Sequence, residues 1–413
     1  MPLLAVFSAE HCGAEEVVDR CARQLGYEVF DPAVLAAAAQ SAGVDSAAVG
    51  RAMYGPPFVF NRFSHKRERL LAHLRLALAE ALERETGVLH GFLAHLVPRS
   101  ISHVLRVCLL ADLEHRVARL MAEQGASERE ARRQVRESDR VRAEWTQLLF
   151  DRQPWDRELY DLKIPLHSTA PDEAVAMIAD NAAAEVLQPT AESRRAVADF
   201  QLAARAEVAL AERGHYHTVT CQAGQVRVII DEFVMRLEHL KRELADIVRD
   251  QTDAEQVAVE TGPGYRPSSM VANVDLSLPQ KVLLVDDERD FVLTLSERLQ
   301  MRDLQPAIAN DGEQALSMLR DEAPEVMILD LKMPGIDGIE VLRKVKAEHP
   351  EVEVIILTGH GSKRDRDLCL GLGAFAYLEK PVDIEELAGA MKRANEKICA
   401  RDRTDDAEDE SAS

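Results

Sequence analysis

From Lys281 onward the chain alternates two kinds of hydrophobic pattern. Lys281-Val-Leu-Leu-Val285 is a continuous apolar run, the signature of a strand buried on both faces. Phe291 to Leu299 then carries apolar residues at helical spacing. Further short runs follow at Pro306–Ala309, Val326–Leu329, Val354–Leu357 and Phe375–Leu378, with helical patterns such as Glu313–Leu319 between and after them. This order predicts a parallel sheet covered on both sides by helices.

The preceding sequence is patterned differently. Leu3–Phe7 predicts a strand, Ser8–Gly13 a loop, and Glu15–Leu25 a helix. Gly26–Asp31 continues as a second strand. Leu105–Leu109 is another strand, Asp112–Leu120 has helical spacing, and Ser127–Arg140 is a strongly charged helix with a capping serine. Gln188-Pro189-Thr190 forms a joint. Beyond it, Ala196–Arg213 is helical, and Thr218–Cys221 and Gln225–Ile230 alternate about Gly224 as a hairpin. Leu237–Val248 is helical and Gln256–Glu260 is a short strand. Thr261–Ser269 is rich in Pro, Gly and Ser, which stop helices and central strands, and so predicts a linker. The residues after Arg401 are acidic and lack large apolar side chains, which predicts disorder. The expected map is therefore 1–188, 192–260, a linker over 261–279, 280–400, and a tail over 401–413.

Composition narrows the classes. The 413 residues include 50 Lys plus Arg against 71 Asp plus Glu, a net charge of −21. Phosphate contacts need concentrated cations, so this balance argues against a nucleic-acid partner. Cys12, Cys21, Cys108, Cys221, Cys369 and Cys399 form no CxxC pair, which excludes zinc-ribbon and thioredoxin-type chemistry and fits a reducing cytoplasm. The opening residues have neither a basic flank nor a small-residue cleavage site, and no apolar run reaches about 18 residues, so neither a signal peptide nor a membrane span is expected.

The polar residues of the C-terminal block are informative by position. Asp286, Asp287 and Glu288 follow the first run, Asp330 the third, Thr358 the fourth, and Lys380-Pro381 the fifth. Ligands of open α/β sheets bind at the carboxyl ends of strands, where all of these residues would converge. Clustered carboxylates repel one another unless a cation joins them. A hard ion such as Mg²⁺ takes such oxygens, and one carboxylate can then become a nucleophile toward a phosphoryl group. Helix capping explains Asp286 or Asp330 alone but not the ordered set. Val285-Asp286-Asp287-Glu288, Leu329-Asp330-Leu-Lys-Met-Pro334-Gly335-Ile-Asp337-Gly338, Leu357-Thr358-Gly359 and Tyr377-Leu-Glu-Lys380-Pro381 together resemble the receiver domain of two-component response regulators. The resemblance implies a flavodoxin-like fold, Asp330 as phosphoacceptor, and Mg²⁺ held by Asp287, Asp330 and the Lys332 carbonyl, with Asp286 reaching it through water. It also implies that Thr358 bonds the phosphoryl group and Tyr377 changes rotamer on switching. Lys380 would pair with the phosphoryl group, aimed by a cis bond before Pro381.

The strand–loop–helix start, Gln24-Leu-Gly-Tyr-Glu-Val-Phe-Asp31, the arginine-rich 128–142 stretch and Tyr160-Asp-Leu-Lys-Ile164 resemble the cytidylate-kinase-like family of P-loop nucleotide kinases. A phosphate loop aims backbone N–H groups of a glycine-rich turn at a phosphate, at the positive end of a helix, with a cation nearby. Here the loop is Ser8-Ala-Glu-His-Cys-Gly-Ala-Glu-Glu16. Gly13 is its one glycine, no Lys or Arg is present, and Glu15 and Glu16 stand where phosphate would sit. The Gly87-Val-Leu-His-Gly-Phe92 run also lacks the arginine that the resemblance leads one to expect near such a segment. Gly13, Arg132, Arg133, Arg136 and Arg140 are the candidate nucleotide-binding residues, with Arg142 beside them. The damaged loop favours a non-catalytic kinase fold.

The αββαβ order of the middle segment resembles the BON domain, which implies a ligand or peripheral membrane-surface role. His215 and His217 read as surface histidines, since a metal site needs more ligands. The expected fold is α/β multidomain: a P-loop nucleotide-kinase-like N-terminal domain, a small α+β BON-like middle domain, and a C-terminal flavodoxin-like (βα)5 receiver. The expected function is a cytoplasmic response regulator phosphorylated on Asp330 by a histidine kinase or phosphotransfer protein. Its output would run through protein or ligand interactions of the N-terminal domains. The alternative is a receiver-regulated CMP-type kinase. Neither a helix-turn-helix nor a phospho-histidine helix with a glycine-rich ATP lid is evident.

Overall fold

This computed structural model describes residues 2–411 apart from 56–60, 85, 232–233, 235, 255, 266–277, 301, 303, 305 and 360–361. The described residues fall into two compact units, one spanning 2–55 and 66–265, the other 278–411 together with 61–65. Most of the expected linker lies outside the described residues.

The first unit begins with β1 (Leu3–Ser8), α1 (Ala14–Leu25), α2 (Asp31–Ala42) and α3 (Ser46–Tyr54); α4 (Asn61–Ser64) and α5 (Lys66–Ala81) follow in the chain. Next come β2 (Gly87–His90), β3 (Val104–Leu110), α6 (Leu113–Gln124), α7 (Glu128–Phe150), β4 (Leu162–Pro165) and α8 (Pro171–Ala182). Strand order is β2-β1-β3-β4, all parallel. Leu4 and Val6 of β1 face a core shared with α1 and α8 (Val17, Val18, Ala174, Ile178), while Phe7 turns to the other face, against Phe92, Trp155 and Tyr160. That alternation is the period of a strand buried on both sides.

The strand expected over Gly26–Asp31 is reduced to one bridge, Val29 to Val88. Pro32, which has no N–H to donate, stands in the first turn of α2, and the Asp31 carboxylate accepts the His90 N–H at 2.9 Å. The chain therefore turns into a helix where a longer strand was predicted.

α9 (Ala191–Ala211) starts with a Thr190/Ser193 capping box. It packs along α5, where Gln201 Nε2 donates to Ala79 O at 3.1 Å and Arg75 pairs with Glu207. β5 (Thr218–Gln222), β6 (Gln225–Ile230), α10 (Leu237–Gln251) and β7 (Gln256–Thr261) complete the αββαβ order. β5 and β6 are antiparallel, and β7 joins β6 in parallel. The hairpin turn puts Ala223 and Gly224 at positive φ, and the Asp199 carboxylate accepts both of their N–H groups at 2.8 Å.

The second unit contains β8 (Val282–Val285), α11 (Arg289–Gln300), β9 (Ala307–Ala309), α12 (Gly312–Asp321), β10 (Val326–Leu329), α13 (Gly338–Glu348), β11 (Glu353–Thr358), α14 (Lys363–Gly371), β12 (Ala376–Glu379) and α15 (Ile384–Ser411). Its parallel sheet runs β12-β11-β10-β8-β9, the flavodoxin-like doubly wound order. Leu283 and Val285 face one core and Val282 and Leu284 the other, as the continuous apolar run predicts. The expected disordered tail is a departure: α15 carries helical backbone through residue 411. An already nucleated helix propagates cheaply through Ala, Arg and Glu. Among the described residues no helix is long and apolar enough to cross a membrane.

Candidate functional site: an acidic cluster at strand ends and a filled phosphate loop

The end of β8 delivers Asp286 and Asp287, and the end of β10 delivers Asp330. Backbone pairing fixes both ends, with Asp286 N donating to Ala309 O at 3.1 Å and Asp330 N to Val285 O at 2.9 Å. Asp286 is 1 % exposed and Asp330 5 %. The three side chains each bring a carboxylate oxygen within 4.8 Å of the others. Lys380 follows β12, with its backbone N–H on Thr358 O at 2.9 Å and a cis bond to Pro381. Its Nζ lies 2.5 Å from Asp286 Oδ2, 3.3 Å from Glu288 Oε1 and 3.9 Å from Asp330 Oδ2. Thr358 is buried at the end of β11, the strand beside β10.

The electrostatics follow from burial and charge together. Burial pushes the Asp286 carboxyl above its ordinary value despite the Lys380 bond. Burial opposes the Lys380 charge, but Asp286, Asp330 and Glu288 outweigh it and hold the ammonium above the usual lysine range. Asp330 Oδ1 is buried and has no hydrogen-bond partner. A buried carboxylate oxygen left unpaired beside two other carboxylates suits a hard divalent cation, whose ligands are oxygens. The residues therefore fit the ion that the sequence implies. Lys332 lies on the exposed loop after Asp330. Gly338 is required by close approach: a Cβ there would meet Asp330 O at 2.1 Å. Tyr377 is buried on β12, its hydroxyl unpartnered and the Arg366 guanidinium 6.0 Å from its ring centroid.

In the first unit, Gly13 caps α1 at φ 90°, a left-handed conformation that suits glycine. The loop is already occupied by its own acid. Glu10 pairs with Arg142, whose Nε donates to Ser8 O at 2.8 Å. Arg116 Nε donates to Glu10 O at 2.7 Å and its guanidinium is held by Asp139 at 2.8 Å. Burial raises the Glu10 carboxyl, yet Arg142 outweighs burial and keeps it below its ordinary value. Arg119 lies against Gly13, where an added Cβ would meet Nη1 at 2.5 Å. The four arginines singled out from sequence lie elsewhere on α7. Arg132 is bound to Glu114 and Glu128, Arg140 to Glu137 and Glu144, and Arg133 approaches Glu130 at 3.9 Å, while Arg136 is exposed. Arg116 and Arg119 were missed because they lie on α6, outside the arginine-rich stretch.

Residues 282–392 match the family model of the response regulator receiver domain, and residues 8–167 that of the cytidylate kinase-like family. The transcriptional regulatory protein CpxR of Escherichia coli (strain K12) is 42% identical over 112 residues, 27% of this chain and 47% of that protein. The chain thus spans about half the length of the CpxR relatives it matches. Sporulation initiation phosphotransferase F of Bacillus subtilis (strain 168) is 36% identical over 114 residues, 28% of this chain and 92% of that protein. A solved response regulator receiver domain protein from Clostridium thermocellum aligns at 32% identity, covering 29% of this chain and 95% of that one, with a TM-score of 0.28. Residues 8–167 resemble the cytidylate kinase-like family, and through residues 282–392 the chain belongs to the response regulators with a receiver domain.

Proposed function

We propose that the chain is a cytoplasmic phosphorylation-controlled regulator in which Asp330 accepts a phosphoryl group from a histidine kinase or phosphotransfer protein. The observation that carries this reading is the buried Asp330 carboxylate at a strand end, its Oδ1 unpartnered and its Oδ2 3.9 Å from Lys380 Nζ, in a cluster with Asp286 and Asp287. A carboxylate oxygen of Asp330 attacks phosphorus. The new P–O bond forms as the P–N bond of the donor phosphohistidine breaks, and the departing imidazole keeps the electron pair and takes up a proton. Asp287, Asp330 and the Lys332 carbonyl would hold Mg²⁺, with Asp286 acting through water; the ion supplies neutralisation of charge on the transferring oxygens. Lys380 pairs with the phosphoryl group once it is on Asp330. The Thr358 hydroxyl then bonds it and Tyr377 reports the change.

For residues 1–188 we favour a kinase fold used for docking rather than transfer, because Glu10 already occupies the arginines at the loop. Output would run through this segment and the BON-like segment 192–260. Incubation with acetyl phosphate and Mg²⁺ is expected to add one phosphoryl group to the wild type and none to Asp330→Asn, by intact mass. Stoichiometric labelling of Asp330→Asn would refute the assignment. In parallel, ATP, Mg²⁺ and CMP should give no multiple-turnover CDP; turnover would instead support the receiver-regulated nucleotide kinase.

A further inference from the structure

Beneath the first sheet, on the face away from α1 and α8, a cavity of about 210 Å³ is lined by Phe7, Ala94, Phe150 and Tyr160 together with His95, Arg99 and Arg106. Its walls are mainly apolar, with aliphatic side chains such as Leu96, Leu149 and Leu159 around a group of rings in which His95 lies 4.1 Å from the Phe7 centroid and 5.5 Å from Phe150. A dry cavity of about 150 Å³ accepts benzene, and drug-sized sites start near about 300 Å³. The space therefore suits one ring with small substituents.

Two polar features say what the substituents should be. Arg106 is 9 % exposed, and its guanidinium meets only carbonyl oxygens, Pro98 at 2.7 Å, Val104 at 3.3 Å and Ile101 at 3.5 Å. The nearby Asp161 carboxylate is taken by the Arg106 backbone N–H at 2.8 Å, and among the described residues the guanidinium forms no ion pair. Burial and the neighbouring Arg99 weigh on this cation, Asp161 acts on it only from beyond ion-pair range, and a ligand anion in direct contact would offset the cost of burying it. Of the other two arginines at this cavity, Arg75 is paired with Glu207, whereas Arg99, among the described residues, donates to Glu158 O alone.

The other feature is His95. Tyr160 has one hydroxyl proton, which it donates to Pro154 O at 2.5 Å. The 3.1 Å contact between His95 Nε2 and Tyr160 Oη therefore needs the proton on Nε2. Nδ1 is left as a bare acceptor, buried and without a partner. Burial pulls this imidazole down to about 3, so it is neutral at physiological pH.

We propose that this cavity binds a small aromatic carboxylate carrying a hydrogen-bond donor: the ring among Phe7, Phe150 and Tyr160, the carboxylate on Arg106 and Arg99, and the donor on His95 Nδ1. The site uses neither the phosphate loop nor the receiver cluster and does not depend on the phosphorylation reading.

Calorimetric titration of the full chain with 4-hydroxybenzoate tests it. Saturable 1:1 binding is expected, with benzoate, which lacks the donor, about tenfold weaker. 4-Hydroxybenzyl alcohol, which lacks the anion, should be weaker by a similar or larger factor, and inorganic phosphate should not bind. Ala94→Leu should abolish binding by filling the space, and Arg106→Gln should abolish it by removing the buried cation. Because Arg106 also anchors loop carbonyls, exposed Arg99→Gln serves as the second variant, with binding weakened several-fold and the melting curve unchanged. No saturable heat up to about 10 mM 4-hydroxybenzoate would overturn the proposal. So would undiminished binding to Ala94→Leu, or equal affinity for the alcohol and the acid.

Discussion

Replacing Asp330 by Asn should stabilise the metal-free receiver while destroying its chemistry. The three carboxylates of the cluster bring oxygens within 4.8 Å of one another. At that distance, with an effective dielectric of about 20, each pair repels by about 3.5 kcal/mol. Lys380 Nζ at 3.9 Å from Asp330 Oδ2 contributes an attraction of about 4 kcal/mol on the same scale. Asp330 therefore faces two repulsions against one attraction, a net opposition of about 3 kcal/mol when no cation is bound. Asp287 is half-buried and water screens its share, so the gain from Asp330→Asn should be about 1–2 kcal/mol. Hydrogen–deuterium exchange of peptides covering β8 and β10 in the full chain reads this locally. Under conditions where exchange tracks opening equilibria, protection without Mg²⁺ should rise about 5- to 30-fold. Adding Mg²⁺ should protect the wild type strongly and the variant little. Equal or faster exchange in metal-free Asp330→Asn would refute the account of the cluster as mutually repelling charges awaiting a cation.

Asp287→Ala removes a charge and an oxygen from the proposed Mg²⁺ site, so metal affinity followed by titration should fall at least about tenfold, and an unchanged affinity would refute the ligand set. Gly338→Ala would place a methyl 2.1 Å from Asp330 O and 2.7 Å from Leu331 Cα. Both are backbone atoms that cannot swing aside, so thermal melting should show a loss of about 2–4 kcal/mol along with lost phosphorylation. Asp31 is raised to about 6, chiefly by burial and against the His90 N–H bond. Its folded form therefore protonates first, and its contribution to stability rises as pH falls from about 7 toward the unfolded value near about 3.9. Asp31→Asn should melt above the wild type at pH near 7.5, followed by fluorescence of Trp145 and Trp155, with the gap closing toward pH 4.5; a gap that widens on acidification contradicts this.

The receiver was legible because its chemistry is written at strand ends. Each apolar run stops at the residue that enters the pocket, Val285 before Asp286 and Leu329 before Asp330, so local period alone locates residues nearly a hundred positions apart. The first unit was legible in outline but not in its contacts. Val29 forms a single bridge because Pro32 and the Asp31–His90 bond redirect the chain, a tertiary effect that the apolar run Tyr27–Phe30 does not encode. Arg116, Arg119 and Arg142 reach the loop, whereas Arg132 and Arg140 are drawn to their neighbouring glutamates. In sequence, all five are arginines on helices. What separates them is which face packs inward, and on a helix this charged the hydrophobic signal is too sparse to say. The cavity was hidden for the same reason: Phe7, His95, Arg106 and Phe150 come from four separate segments.

The two halves of the chain meet one physical problem, the accommodation of a phosphoryl group's negative oxygens, in opposite ways. At the receiver the protein leaves its partners incomplete. Asp330 Oδ1 is unpaired and Lys380 is shared among three carboxylates, so on the proposed function an incoming phosphoryl group with its cation would relieve repulsion within the cluster. At the N-terminal loop the partners are complete. Arg142 is taken by Glu10 and the Ser8 carbonyl, Arg116 by Asp139 and the Glu10 carbonyl, and Arg142 also lies 5.4 Å from the centroid of the Phe92 ring. A nucleotide phosphate would have to displace a paired carboxylate and then face Glu15 and Glu16 at the helix start. On the proposed function, Glu10, more than the missing glycines, is what would turn this fold from transfer toward binding.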